Sequence, residues 1–152
     1  MHELLNQMPL PAGVLWLPFE PGHLDGIDDN MAVDVSMRVV DQASRGPACT
    51  LMVDGQPLLS VGMMDCRNGD GEVWAVIDRN RRYKHPLLVT RAVKKAVDIA
   101  CISMNLSSAH MFVQCARKDA VRWAMALGFA EIGKLTIYNQ PEQDHFIFSR
   151  SL

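Results

Sequence analysis

The chain has 152 residues, with 15 Lys and Arg against 17 Asp and Glu and a formal net charge of −2 at pH 7. Hydrophobic residues make up 49% and charged ones 21%, which suits one domain over residues 1–152 with a single core and excludes extensive disorder. The charge balance excludes whole-molecule attraction to nucleic acid or an anionic membrane, so any affinity for anions must be local.

The opening "MHELLNQMPLPAGVLWLPFEPG" lacks a basic n-region and is interrupted by Pro9, Pro11 and Pro18, so it does not read as a secretory signal. Residues 1–13 are expected to be a loose segment. No run of about 18 uncharged apolar residues occurs, and no membrane partner is expected. Cys49, Cys66, Cys101 and Cys115 form no C-x-x-C pair and sit in or beside apolar segments, the pattern of reduced thiols in a cytoplasmic protein. No His stands at a metal-ligand spacing to any Cys, so no metal is expected.

"VLWLPFE" reads as a first strand. Leu24, Ile27, Met31, Val35 and Val39 then recur at steps of three and four, giving one amphipathic helix or two short ones closed near Gly46-Pro47. "ACTLMV" and "QPLLSVGMMDC" flank Asp54-Gly55, the preferred dipeptide of a two-residue type I′ hairpin. After "RNGDG", the strand "EVWAVID" is almost continuously apolar, as expected of a central strand covered on both faces. From Pro86 the period becomes helical, with Val89, Val93, Ala96, Val97, Ala100 and Met104 on one stripe. "SAHMFVQCA" is a strand, and "RKDAVRWAMAL" is a short helix with Gly128 as its C′ residue. "EIGKLTIYN" and "HFIFSRSL" close the chain as strands. This order predicts an α+β, mixed α/β fold with helices on both faces of one sheet.

One corner stands out against the acidic background. Between "EVWAVID" and the helix at Pro86 lie Arg79, Arg81, Arg82 and Lys84, where a helix N-terminus already favours an anion. CoA phosphates, a nucleic-acid backbone and an acidic partner protein are all compatible with it. Tyr83 reads as a packed loop tyrosine, with stacking on a base or adenine as the alternative, and His85 reads as a helix cap or phosphate contact.

The element order, the stretch "VIDRNRRYKHPLLVTRAV" and the ending "AVRWAMALGF" resemble the GNAT superfamily of acyl-CoA-dependent N-acyltransferases over residues 14–150. The resemblance implies a central, mostly antiparallel sheet of about seven strands. It implies acetyl-CoA as co-substrate, with its pyrophosphate at Arg79, Arg81, Arg82, Tyr83, Lys84 and His85. Backbone near Val76 or Ile77 would orient the thioester, and Glu72 or Asp65 would be the nearest base. The family pattern Gln/Arg-x-x-Gly-x-Gly/Ala meets "RYKHPL" here, with His85 and Leu87 in place of the glycines. Arg117 and Ala124 stand at the family's Asn and general-acid Tyr positions, and neither group is present. More narrowly, the sequence is similar to small GNAT-like proteins of tailed bacteriophages, some of which are virion components. That likeness implies a second reading: a catalytically silent protein of the host cytoplasm or the virion, meeting virion proteins or nucleic acid. A homo-oligomer stays open under both.

Overall fold

Seven stretches of alternating or continuous apolar character pair into one sheet. They are β1 (Val14–Pro18), β2 (Ala48–Val53), β3 (Gln56–Asp65), β4 (Asp70–Ile77), β5 (Ser108–Gln114), β6 (Ala130–Leu135) and β7 (His145–Ser151), in the spatial order β1-β2-β3-β4-β5-β7-β6. Every neighbouring pair is antiparallel except β4 with β5. The helices are α1 (His2–Asn6), α2 (Val33–Ala43), α3 (Pro86–Ser103) and α4 (Lys118–Ala126). The computed structural model describes residues 1–29 and 33–152, and only the backbone of 33–35. Mixed α/β architecture with a mostly antiparallel sheet is therefore observed, as the element order predicted.

Side-chain alternation explains why β4 is so apolar. Val73 and Ile77 join the larger core, which also takes Val89, Val93, Ala96 and Val97 from α3 and Ala124 from α4. Trp74 and Val76 point the other way, into a second cluster with Leu24, Ile27 and Val39. Helices thus cover both faces, α1, α3 and α4 on one and α2 on the other. Ala75 departs from the expectation of full cover, for it is exposed.

Local turn chemistry follows the sequence closely. Asp54 and Gly55 take φ of 51° and 77°, the two positive values that a type I′ turn requires. Gly128 takes φ of 91° just past α4, and Phe129 behind it is buried. The helical periodicity after β1 resolves into a 3-10 turn, Pro21–Gly26, and α2. Leu24, Ile27 and Val39 are buried as expected, while Met31 and the side chain of Val35 lie outside the described residues.

The beginning of the chain departs from expectation. Residues 1–13, expected as a loose segment, carry α1, whose Leu5 is wholly buried in the larger core. Asn6 then locks the segment down: its Nδ2 donates to the Trp16 carbonyl and its Oδ1 accepts the Trp16 N–H, both at 2.8 Å. An amide side chain imitating a strand neighbour leaves no periodic signal in five residues. No helix among the described residues is long and apolar enough to cross a membrane.

Burying Leu5 completely makes α1 part of the core. Leu5→Ala is expected to cost about 2–5 kcal/mol in urea unfolding; a loss below about 0.5 kcal/mol, as at an ordinary surface site, would show the segment to be undocked.

Candidate functional site

Pairing between β4 and β5 stops early. Asp70 faces Ser108, Gly71 faces Ala109 and Glu72 faces His110, and no further pair follows. On their other sides the strands continue, β4 against β3 as far as Ile77 with Leu59 and β5 against β7 as far as Gln114 with His145. A wedge-shaped opening therefore lies between Val73–Ile77 and Met111–Gln114. The direction of each backbone group follows from one bond. Asp78 N–H donates to Leu58 O at 2.9 Å, and antiparallel partners alternate between bonded and non-bonded pairs. Counting back, Val76 and Trp74 direct their amides to β3, while Val73, Ala75 and Ile77 direct theirs toward the opening. Ile77 is thus suited to meet a guest there, as is Ala75. Val76, named as a thioester contact from the sequence, is not, because its N–H is spent within the sheet.

The basic corner is organised around Asp78. Its carboxylate accepts backbone N–H bonds from Arg81 at 2.7 Å, Asn80 at 3.0 Å and Asp28 at 3.1 Å. Burial alone would push this carboxyl up, but those amides and the Arg81 charge outweigh it and hold it below its ordinary value. The four cations do not converge. Arg79 pairs with Asp28 at 3.3 Å. Arg81 turns inward, and its Nη1 donates to the Pro57 carbonyl at 2.8 Å. Arg82 reaches away from the corner to Asp119 on α4 at 2.9 Å, passing 4.9 Å from the ring centroid of Tyr83. Tyr83 itself is 71% exposed, not packed in the loop. Lys84 is exposed. His85 is the N-cap residue of α3 yet makes no side-chain capping bond. At Asp119 burial opposes ionisation, but the Ala120 amide, Arg117 and Arg82 prevail and keep the carboxyl below its usual range.

A second group of side chains stands at the vertex of the wedge, on the face shared with α2. His110 Nδ1 lies 2.7 Å from Asp70 Oδ2, and its Nε2 lies 3.9 Å from Glu72 Oε2. Gln42 of α2 donates to Glu72 Oε1 at 3.2 Å, and Ser108 Oγ donates to Asp70 Oδ1 at 2.7 Å. Cys66 completes the group, its sulfur within 4.8 Å of ligand-type atoms of Glu72 and His110. Burial chiefly, then Glu72, Asp70 and Asp65, push that thiol up. Glu72 therefore belongs to this group, but Asp65 does not: it is exposed, and its Oδ1 accepts the Arg67 N–H at 2.8 Å as the turn leaves β3. Sequence reasoning missed Asp70, His110 and Cys66 because strand pairing, not local spacing, unites them. Over the wedge's far wall, Ala124 is fully buried and Arg117 is the N-cap of α4, so neither supplies a phenol or amide. An open groove of about 340 Å³, lined by residues that include Leu24, Ser36, Met37 and Val40, lies on the α2 face.

No protein-family model matches the sequence, and no curated protein matches it. Solved structures do match. Ard1 of Thermoplasma volcanium superposes with a TM-score of 0.77 at 13% identity, over 93% of this chain and 99% of that one. The ribosomal-protein-S18-alanine N-acetyltransferase of Escherichia coli gives 0.72 at 12%, over 91% and 93%. An acetyltransferase of the GNAT family from Streptococcus pneumoniae gives 0.67 at 18%, over 91% and 99%. The chain has the fold of the GNAT N-acetyltransferases, and at these identities the likeness is one of fold.

Asp78 makes the corner pH-sensitive. Because its folded pKa is lowered from 3.8, its contribution is complete above that value and is lost as pH falls through the lower folded one. Asp78→Asn is expected to cost about 1–3 kcal/mol at pH 7 and less at pH 3. Denaturant titrations at both pH values check this, and an equal loss at each would show that the charge does not matter.

Proposed function

We propose that this GNAT-fold chain is an acyl-CoA-dependent N-acyltransferase whose thioester arm enters the wedge between β4 and β5. The observation that carries the reading is the early end of β4–β5 pairing, with strand amides aimed into the opening and Glu72 and His110 at its vertex. A thioester carbonyl lying against β4 would meet the Ala75 N–H, which would hold the oxyanion formed when an amine attacks, while the Ile77 N–H, about 16 Å along the strand from Glu72, would meet the arm behind it. Glu72 Oε2 and His110 Nε2 are the proton acceptors at the vertex for the attacking amine, and Asp70 fixes the ring. A C–N bond forms as the C–S bond breaks, and the thiolate takes its proton from water, for Ala124 offers none.

Phosphate would be held differently from the glycine-loop pattern. The Leu87 and Leu88 amides open α3 without intrahelical partners, whereas Pro86 has no N–H. Arg82 and Lys84 add charge beside them, and Arg82 would have to exchange Asp119 for phosphate. Arg79 and Arg81, committed to Asp28 and to backbone carbonyls, do not belong to that set.

A specific observation favours a second reading. Asp78 and Asp119 already supply anions to this corner. A catalytically silent protein that meets protein or nucleic acid, including a phage virion or assembly component, needs no space for CoA there.

Thermal unfolding with acetyl-CoA separates the two. Ligand at about a hundredfold over its dissociation constant should stabilise the chain by about 2.7 kcal/mol. Transfer of a labelled acetyl group to an amine panel should fall by about 10²–10⁴ in kcat for Glu72→Gln. Unchanged stability up to millimolar acetyl-CoA would overturn the transferase reading. Equal binding by an Arg82→Ala, Lys84→Ala double variant would move the phosphate site elsewhere.

A further inference from the structure

Beside the Glu72 and His110 that acyl transfer would use, the vertex group holds a thiol that it would not, and a cation held by all three would take up the lone pairs that transfer needs. We propose that Cys66, Glu72 and His110 form a binding site for a thiophilic divalent cation of the zinc class, with Asp70 orienting His110. The site stands whether or not acyl transfer occurs.

Thiolate, imidazole and carboxylate together suit zinc and not magnesium or calcium, which take oxygen ligands. The three ligand atoms already lie within 4.8 Å of one another, and His110 Nε2 is 3.9 Å from Glu72 Oε2. Around tetrahedral zinc, neighbouring ligand atoms stand about 3.3–3.8 Å apart, so small side-chain rotations close the set. Three protein ligands leave a fourth position for water or an incoming ligand.

The surroundings direct His110 and Glu72 inward, while the Cys66 thiol, which donates to the Met64 carbonyl at 3.7 Å, would give up that bond on losing its proton. Asp70 Oδ2, as an acceptor, requires the proton on His110 Nδ1, which leaves the Nε2 lone pair facing Glu72 and Cys66. A carboxylate behind the distal ring nitrogen is the usual support of a zinc-bound histidine. Gln42 occupies Glu72 Oε1 and leaves Oε2 toward the ring. The turn after Cys66 runs through Arg67, Asn68 and Gly69, all at positive φ, and the Cys66 N–H bonds Asp70 O at 3.0 Å, so the thiol is set beside β4 by backbone geometry.

Charge supplies a separate argument. Glu72 and His110 side chains are only 19% and 16% exposed, and among the described residues no lysine or arginine pairs with Glu72 or Asp70. Two carboxylates flanking one imidazole, with no permanent cation beside them among the described residues, are balanced either by a proton on His110 or by a bound cation, and the thiol beside them suits the second. On binding, the thiol would release its proton to solvent.

The test is competition for Zn²⁺ between the purified full chain under reducing conditions and a chromophoric chelator, followed by Co²⁺ substitution. One equivalent of Zn²⁺ should bind at micromolar or lower free metal, and the Co²⁺ form should show thiolate charge-transfer absorption. Cys66→Ser and His110→Asn should each abolish that binding, Cys115→Ser should leave it intact, and Asp70→Asn should weaken it by about 10–100-fold. Circular dichroism of each variant verifies folding. Failure of the unaltered chain to bind Zn²⁺, a Co²⁺ form without the thiolate band, or undiminished binding in folded Cys66→Ser would each overturn the proposal. None of these readings depends on acetyl-CoA.

Discussion

Parallel pairing between β4 and β5 ends at Glu72 and His110, and the backbone groups beyond it must face solvent or a guest. The two halves of the sheet remain well ordered on either side, because β4 is held by β3 and β5 by β7. Strand geometry then decides much of the rest. It aims alternate β4 amides into the wedge, exposes Ala75 in a strand that is otherwise covered, and brings side chains from the two strands together at the vertex. Those consequences follow from backbone direction, whatever the surface residues are.

The cationic corner shows a different physics. A helix N-terminus with several arginines nearby attracts anions, yet the chain supplies its own. Asp78 gathers three backbone amides, and Asp119 takes the Arg82 guanidinium. A bound phosphate would gain only the difference between its contacts and those it displaces. The side chains of His85 and Leu87 agree with this, since a backbone that need not approach a phosphate closely has no use for a missing Cβ there.

Much of the fold was legible because its signals are local. Asp54-Gly55 specifies its turn, Gly128 ends its helix, and the stripe from Val89 to Ala100 states which face of α3 is buried. What escaped notice depends on pairing across the sheet or on a single long-range bond. Asn6 bonding to Trp16, Asp78 collecting the Asp28 amide, and Cys66 meeting His110 are separated by 10 and 50 residues in the first two cases and by the width of two strands in the third. Glu72 begins a recognisable strand and lies beside His110, whereas Asp65 looked equivalent by position and differs because the following turn uses its carboxylate. The arginines were visible, but their partners were not.

Asp70 has two allegiances. One carboxylate oxygen holds Ser108, across the first residue pair of the short seam, and the other holds the imidazole of His110. The fastening between the half-sheets and the aim of the vertex histidine are therefore a single pleiotropic feature. Neither could drift in evolution without dragging the other along, so tolerance to change at this aspartate should be narrower than its partial exposure suggests.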